Sequence, residues 1–355
     1  MIISSLSKTK IIFIVGLILL LVISFLSLTI GPVHISYIKI FEILFDQLNV
    51  PLNIFSNEIN QAFKTVIIDI RLPRIFMGII VGISLGTSGA ILQGLFRNPL
   101  IDPGFIGVSS GAAIGAMIVI MFSNIISVYS NIYVQFLLPI FSMIGGMTTT
   151  VLVYKMSKVS GKTNIMAMLL SGIAVNAFSG SIIGFLVYRA SDIQLRSFTF
   201  WTLGSLDGAN WNIIFISLIF ILLPILISIS IRKQLDVFML GDSDASYLGL
   251  NVELLKRKII IISAILVGVT VAFCGMIGFI GLVTPHLVRL MLGPSHRTLI
   301  FGSGLLGAII LISADFLSRV IIAPAQLPIG IITSALGAPF FLWLIFSQKK
   351  KIVYE

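Results

Sequence analysis

Residues 71–116 read RLPRIFMGIIVGISLGTSGAILQGLFRNPLIDPGFIGVSSGAAIGA, and this stretch decides the fold class. Between Arg74 and Arg97 no side chain is charged, and an apolar run of this length matches the ~20 residues a helix needs to cross a bilayer. A second run opens near residue 106 and reaches about 122. Gly78, Gly82 and Gly86 fall four apart in the first, and Gly107, Gly111 and Gly115 do the same in the second. Small residues at that spacing share one helix face, where backbones can approach closely.

The same pattern extends over the chain. Of its 355 residues 57% are apolar and only 10% charged, against ~25% charged in a soluble domain. Apolar runs divide it into ten spans at about 11 to 30, 74 to 95, 106 to 122, 133 to 154, 164 to 187, 212 to 231, 259 to 274, 278 to 292, 298 to 318 and 328 to 347. The expected fold is an all-α integral membrane protein, a single transmembrane domain over 1–355. Large extramembrane domains, a soluble enzyme, a disulfide scaffold and a disordered tail protein are excluded. The lone Cys274 sits in an apolar run and reads as a small buried residue. The run 11 to 30 is too long for a signal peptide and reads as a retained first helix.

The net charge of +10 does not indicate nucleic acid, because the cations sit at the ends of apolar runs. With the N-terminus inside, 16 of the 23 Lys and Arg fall on the cytoplasmic side, as the positive-inside rule requires. Both termini are then cytoplasmic. Residues 31 to 70, with His34, Glu42, Asp46, Glu58 and Asp69, form an external segment. The segment about 233 to 258 lies inside and is too polar to span. It reads as two short helices broken near Gly249, a candidate docking surface.

Chemistry-bearing motifs are few. Ser160-Gly161-Lys162-Thr163 resembles the end of a P-loop, but position 156, where that loop needs glycine, is Met. Lys162 reads instead as an inside-positive residue at a helix start. His34, His286 and His296 are not at ligand spacing with one another or with Cys274, so no metal site is expected. His286 reads as a polar packing residue. No catalytic constellation emerges. The spans carry no charged relay of the kind that pumps and proton-coupled transporters use. Asp315 and Arg319, four apart near the outer end of the ninth span, can pair along the helix. Active transport must then draw its energy from another subunit. A channel or secondary transporter stays open on this ground, and a membrane enzyme is disfavoured because Asp242 with Asp244 is its best acidic cluster. Arg71, Arg74 and Arg319 are read as outward cations that would meet an acidic partner surface. Lipid snorkelling or an internal pair with Asp69 or Asp315 is the alternative.

The stretches 71 to 116, FWTLGSL (200 to 206), LGDSDASYLGL (240 to 250), GFIGLVTPHLVRLMLGPSHR (278 to 297) and PAQLPIGIITSALGAPFFLWL (324 to 344) carry a resemblance. From about residue 65 to 347 the chain resembles the permease subunit of bacterial iron-siderophore, haem and cobalamin ABC importers, the FecCD-type or type II importer family. The resemblance implies ten helices per subunit and a homodimer or close heterodimer with the pathway at its interface. It also implies two cytoplasmic ATPase subunits, which hold ATP and Mg, and an external substrate-binding protein. No cofactor is implied for this chain, and the cytoplasmic (inner) membrane is its implied location. By position, Arg71, Arg74 and Arg319 match residues that receive acids of the binding protein. Gly241, Asp242, Ala245, Leu248 and Gly249 match the coupling helices that sit in the ATPase. Asn164, Ile165 and Met166 match the cytoplasmic gate, which is hydroxyl-rich in the cobalamin importer and is not so here. The substrate reading leans to haem, with ferric siderophore or cobalamin as alternatives.

Overall fold

The computed structural model describes residues 2–31, 33, 35–47, 61–127 and 131–353, and the chain is almost wholly helical there. His34 and Glu58 lie outside the described residues. Helix α1 (Ile2–Thr29) is followed by the short α2 (Tyr37–Gln47) and α3 (Gln61–Thr65). A π-helical turn, Val66–Arg71, runs straight into α4 (Leu72–Phe96). A 3₁₀ turn at Pro103–Ile106 leads to α5 (Val108–Ser127) and α6 (Asn131–Met156). A hairpin of β1 (Lys158–Val159) and β2 (Lys162–Thr163) precedes α7 (Ile165–Arg189) and α8 (Asp192–Leu203). The chain ends with α9 (Trp211–Ser230), α10 (Arg232–Phe238), α11 (Asp242–Tyr247), α12 (Val252–Cys274), α13 (Ile280–Leu292), α14 (His296–Val320) and α15 (Ile329–Val353).

Each of the ten expected spans falls on one helix: α1, α4, α5, α6, α7, α9, α12, α13, α14 and α15. Seven are long and apolar enough to cross a membrane, and shorter apolar helices at Val108–Ser123, Ile280–Leu292 and Ile329–Leu342 lie on the other three. Three local features differ from the sequence reading. α12 starts seven residues earlier than expected, because the Asn251 side chain accepts from the Leu254 backbone N–H at 3.0 Å and caps it there. α8 was not expected as a helix, and it is held by a capping box between Ser191 and Gln194. The segment 158–163 is a hairpin whose two central residues, Ser160 and Gly161, have φ of 51° and 81°. Positive φ at both positions matches the twist of a two-residue turn. The motif that imitates a phosphate loop is therefore a tight turn between two strands.

α4 is apolar all round because most of it is buried, at the centre of a bundle formed by α9, α12, α13 and α14; only the face of Leu72, Phe76, Ile79 and Ile83 is partly open. Its glycines explain how closely α14 packs. A Cβ built on Gly86 would lie 2.1 Å from the Ser303 carbonyl oxygen, and one on Gly82 would lie 2.5 Å from Ala308 Cα. The second stripe works alike between α5 and α6, where a Cβ on Gly111 would meet the Gly145 carbonyl oxygen at 2.2 Å. Gly107 departs from its stripe: with φ of 83° it ends the 3₁₀ turn rather than packing in α5. Gly86→Ala should cost about 1–3 kcal/mol by overpacking against backbone that cannot yield. Thermal unfolding in detergent should show a lowered midpoint for Gly86→Ala and none for Gly180→Ala, whose added methyl meets nothing within 4 Å. Equal midpoints would remove the close-approach argument.

Candidate functional site: two polar clusters at the ends of α4

Arg74 and Arg97 stand at opposite ends of α4, about 35 Å apart at 1.5 Å per residue. Each sits in a cluster of charges.

At the Arg74 end the cluster is internal. Arg74 Nε donates to Asp315 Oδ1 at 2.6 Å, and Arg74 Nη1 to Gln326 Oε1 at 2.8 Å and to Asp207. Arg319 Nε lies 3.2 Å from Asp315 Oδ2, so one carboxylate serves two guanidiniums. The pair expected four apart along α14 is thus formed. Arg319 also donates to the carbonyl and hydroxyl oxygens of Ser27, and Arg71 to the carbonyls of Leu28 and Val33. Ser27 and Leu28 belong to the last turn of α1, whose unpaired carbonyls and negative dipole end favour cations. The expectation of free outward arginines is corrected here. Arg71, Arg74 and Arg319 are only 4–5% exposed, and their donors are turned to neighbours within the chain. Of the two internal partners considered, Asp315 is used, and Asp69 is exposed. The accessible partner of these arginines is Asp207, whose side chain is 55% exposed.

At the Arg97 end the cluster joins segments that are far apart in sequence. Arg97 ends α4 with a left-handed φ of 49° and lies over the Phe238 ring at 4.1 Å. It donates to the Phe238 carbonyl at 2.8 Å and to Asp242 Oδ1 at 2.6 Å. Lys256, in the first turns of α12 and 3% exposed, reaches the Thr163 carbonyl at 2.8 Å, Asp242 Oδ2 at 2.7 Å and Glu253 Oε1 at 3.2 Å. Its three N–H donors are all engaged. Glu253 Oε2 accepts from the Thr163 backbone N–H at 2.9 Å, so α12 holds both the N–H and the carbonyl of this β2 residue. Burial alone would raise the Asp242 carboxyl, but hydrogen bonds from Lys256 and Arg97 outweigh it and hold it below the usual carboxylate range. The carboxylate is therefore ionised at neutral pH.

The five expected coupling residues divide by exposure. Ala245 is fully buried and Asp242 faces the cluster, whereas Leu248 is 66% exposed beside the exposed Tyr247. The segment does contain two short helices, α10 and α11, but Gly241, with φ of 127°, separates them; Gly249, with φ of 83°, turns the chain towards α12. Of the expected gate residues, Asn164 caps α7 by accepting from the Ala167 backbone N–H at 2.9 Å. Ile165 and Met166 follow it along a cleft of about 690 Å³ whose other wall holds Arg97, Asp242 and Lys256. Arg97 and Lys256 were read only as inside-positive charges. The isolated position of Arg97 after a long uncharged helix was the available signal for the first. Nothing local marks Lys256 among Lys256, Arg257 and Lys258. His296 is also paired, its Nδ1 lying 2.7 Å from Asp236 Oδ1, which ties α10 to the start of α14. Among the described residues no group of His, Cys, Asp and Glu could hold a metal.

The model of the FecCD transport family matches residues 19–347. The chain is 42% identical over 302 residues to the hemin transport system permease protein HmuU of Yersinia pestis, covering 84% of this chain and 88% of that one. It is 37% identical to the cobalamin import system permease protein BtuC of Halobacterium salinarum, covering 80% and 74%. It is 31% identical to the iron(3+)-hydroxamate import system permease protein FhuG of Bacillus subtilis, covering 96% and 97%. A solved inward-facing structure of a metal-chelate type ABC transporter superposes with a TM-score of 0.80 at 31% identity, covering 95% of this chain and 99% of that one. The ten-helix bundle, the buried α4 and the family match agree: the chain is an ABC importer permease and belongs to the FecCD transport family.

Proposed function

We propose that the chain forms half of a dimeric pathway that imports haem, delivered by an external binding protein, by alternating access. The observation that carries the mechanism is the cluster around Lys256. One ammonium bonds both α11, which ends in the exposed Tyr247 and is capped by the exposed Leu248, and β2, which leads into Asn164 and α7. A push on α11 from a partner ATPase is therefore passed to the head of α7 through two direct hydrogen bonds. Rigid-body shifts of packed helices are the usual form of such transitions. ATP and Mg²⁺ belong to the partner ATPases in this reading, and this chain makes and breaks no covalent bond. Both termini lie on the cytoplasmic side.

Delivery at the opposite face is assigned to the rim of Arg71, Arg74 and Arg319, the three residues named in the sequence reading, with Arg74 reached through its accessible partner Asp207. An acidic group arriving there has to displace the half-exposed Asp207 from Arg74, an exchange of one carboxylate for another. The haem assignment rests on the likeness to HmuU over 84% of the chain. Ferric siderophore and cobalamin are the alternatives, since permeases named for them are also similar.

The test is uptake into proteoliposomes of the chain with its ATPase and binding protein, comparing haem, a ferric siderophore and cobalamin with and without internal ATP. ATP-dependent haem uptake is expected. Uptake of another chelate would replace the substrate and keep the mechanism, and flux without ATP would overturn the mechanism.

A further inference from the structure

We propose that the groove between α6 and α12 is a binding site for one anionic phospholipid. It has a volume of about 340 Å³ and opens at the end of the bundle that holds the hairpin. That end is cytoplasmic by the distribution of Lys and Arg.

The groove is built in two levels. Lys155, Lys158 and Arg257 stand at its mouth, and the ammonium of Lys158 lies 5.0 Å from the centroid of the Tyr154 ring. Below them the walls are apolar: Val151 from α6, and Ile260, Ile261 and Ala264 from α12. Ala264 is seven residues beyond Arg257, about 10 Å deeper along the helix. A charged mouth over an apolar trough of that depth matches a lipid headgroup above the first part of an acyl chain. Val151 and Ile261 are 47% and 44% exposed, so the trough is open to the side.

Charge decides which lipid. No carboxylate lines the groove, and none of the three cations forms an ion pair among the described residues. The nearby acids are already used: Asp242 by Arg97 and Lys256, and Glu253 by Lys256 and the Thr163 N–H. Three exposed cations with no acidic partner at one groove mouth favour an anion, and basic pockets between transmembrane helices on the cytoplasmic side bind anionic headgroups. A zwitterionic lipid would leave that charge uncompensated. A bare phosphate would leave the trough unfilled.

The site does not depend on what the permease transports, so it can be tested on the purified full chain in detergent. Native mass spectrometry would follow added phosphatidylglycerol, phosphatidylcholine and inorganic phosphate. Phosphatidylglycerol should be retained as one tight adduct and phosphatidylcholine should not. At about 1 kcal/mol per cation near the surface, each of Lys155→Gln, Lys158→Gln and Arg257→Gln should weaken it about five-fold, and the triple variant on the order of 100-fold. Lys233→Gln, which removes an exposed cation outside the groove, should change nothing. If the triple variant does not fold, Val151→Trp fills the trough with the cations intact and should also weaken the adduct. Equal retention of phosphatidylcholine, or an unchanged adduct in the variants, would overturn the site. Displacement of the lipid by inorganic phosphate would reduce it to a simple anion site. A crosslink between two copies through Val151→Cys would show that a second chain fills the groove instead.

Discussion

Asp315→Asn should destabilise the folded chain by about 3–5 kcal/mol, the cost of leaving buried charge without its partner. The carboxylate is 2% exposed and stands between Arg74 and Arg319, themselves 6% and 5% exposed in their side chains. Asparagine keeps the shape and one acceptor but removes the only deeply buried negative charge of the cluster. Arg74 would keep Asp207 and Gln326, and Arg319 would keep Ser27, so neither loses every hydrogen bond. What is lost is compensation of two positive charges in a desolvated place. Those charges join α4 to α14 and, through Ser27, to α1, so helix association should suffer at this end of the bundle. Asp207→Asn provides the contrast. Its side chain is 55% exposed, and a half-solvated pair contributes at most about 1 kcal/mol. Thermal unfolding in detergent, with the yield of monodisperse protein, measures both variants. A similar loss from both would show that burial does not set the strength of this cluster.

This cluster also marks the limit of reading the sequence. The ten spans were legible because a bilayer demands long uncharged runs, and α4 beyond Arg74 and the whole of α9 satisfy that demand without ambiguity. The glycine stripes were legible for the same kind of reason, since spacing by four fixes a face. The fate of Arg71, Arg74 and Arg319 was not. A cation at the end of an apolar run has the same local pattern whether it faces water or a carboxylate from a distant helix, and Arg74 and Asp315 are separated by 241 positions. The Asp315–Arg319 spacing gave half of the answer. The hairpin at 158–163 was hidden by chemistry that two structures share, because glycine beside a small polar residue suits a tight turn as well as a phosphate loop. At the other end, α12 was expected to begin after Lys256, Arg257 and Lys258. Its earlier cap at Asn251 places Lys256 inside the bundle and leaves Arg257 outside, a distinction that helix phase alone creates.

Lys256→Met should separate ATP hydrolysis from transport. Methionine has a similar length and no donors, so the side chain still fills its place at the start of α12 while three acceptors are released at once. Asp242 keeps Arg97, and Glu253 keeps the Thr163 N–H, so no carboxylate is left stranded. Folding should therefore survive, and removing a desolvated ammonium offsets part of the loss. The link from α11 to the hairpin does not survive, because Lys256 is the only residue that bonds both Asp242 and Thr163 among the described side chains. Hydrogen bonds to a charged group are worth about 1.5–3 kcal/mol each, so uptake per ATP should fall about ten- to a hundred-fold. Lys256→Arg should restore part of it: the charge returns, but a planar fork cannot meet three acceptors placed around a point. The measurement is the ratio of substrate accumulated to phosphate released in proteoliposomes containing the partner ATPase and binding protein. A merely structural lysine would lower the unfolding midpoint and leave that ratio unchanged. A falling ratio at unchanged midpoint would place the transmission between ATPase and gate at a single ammonium group.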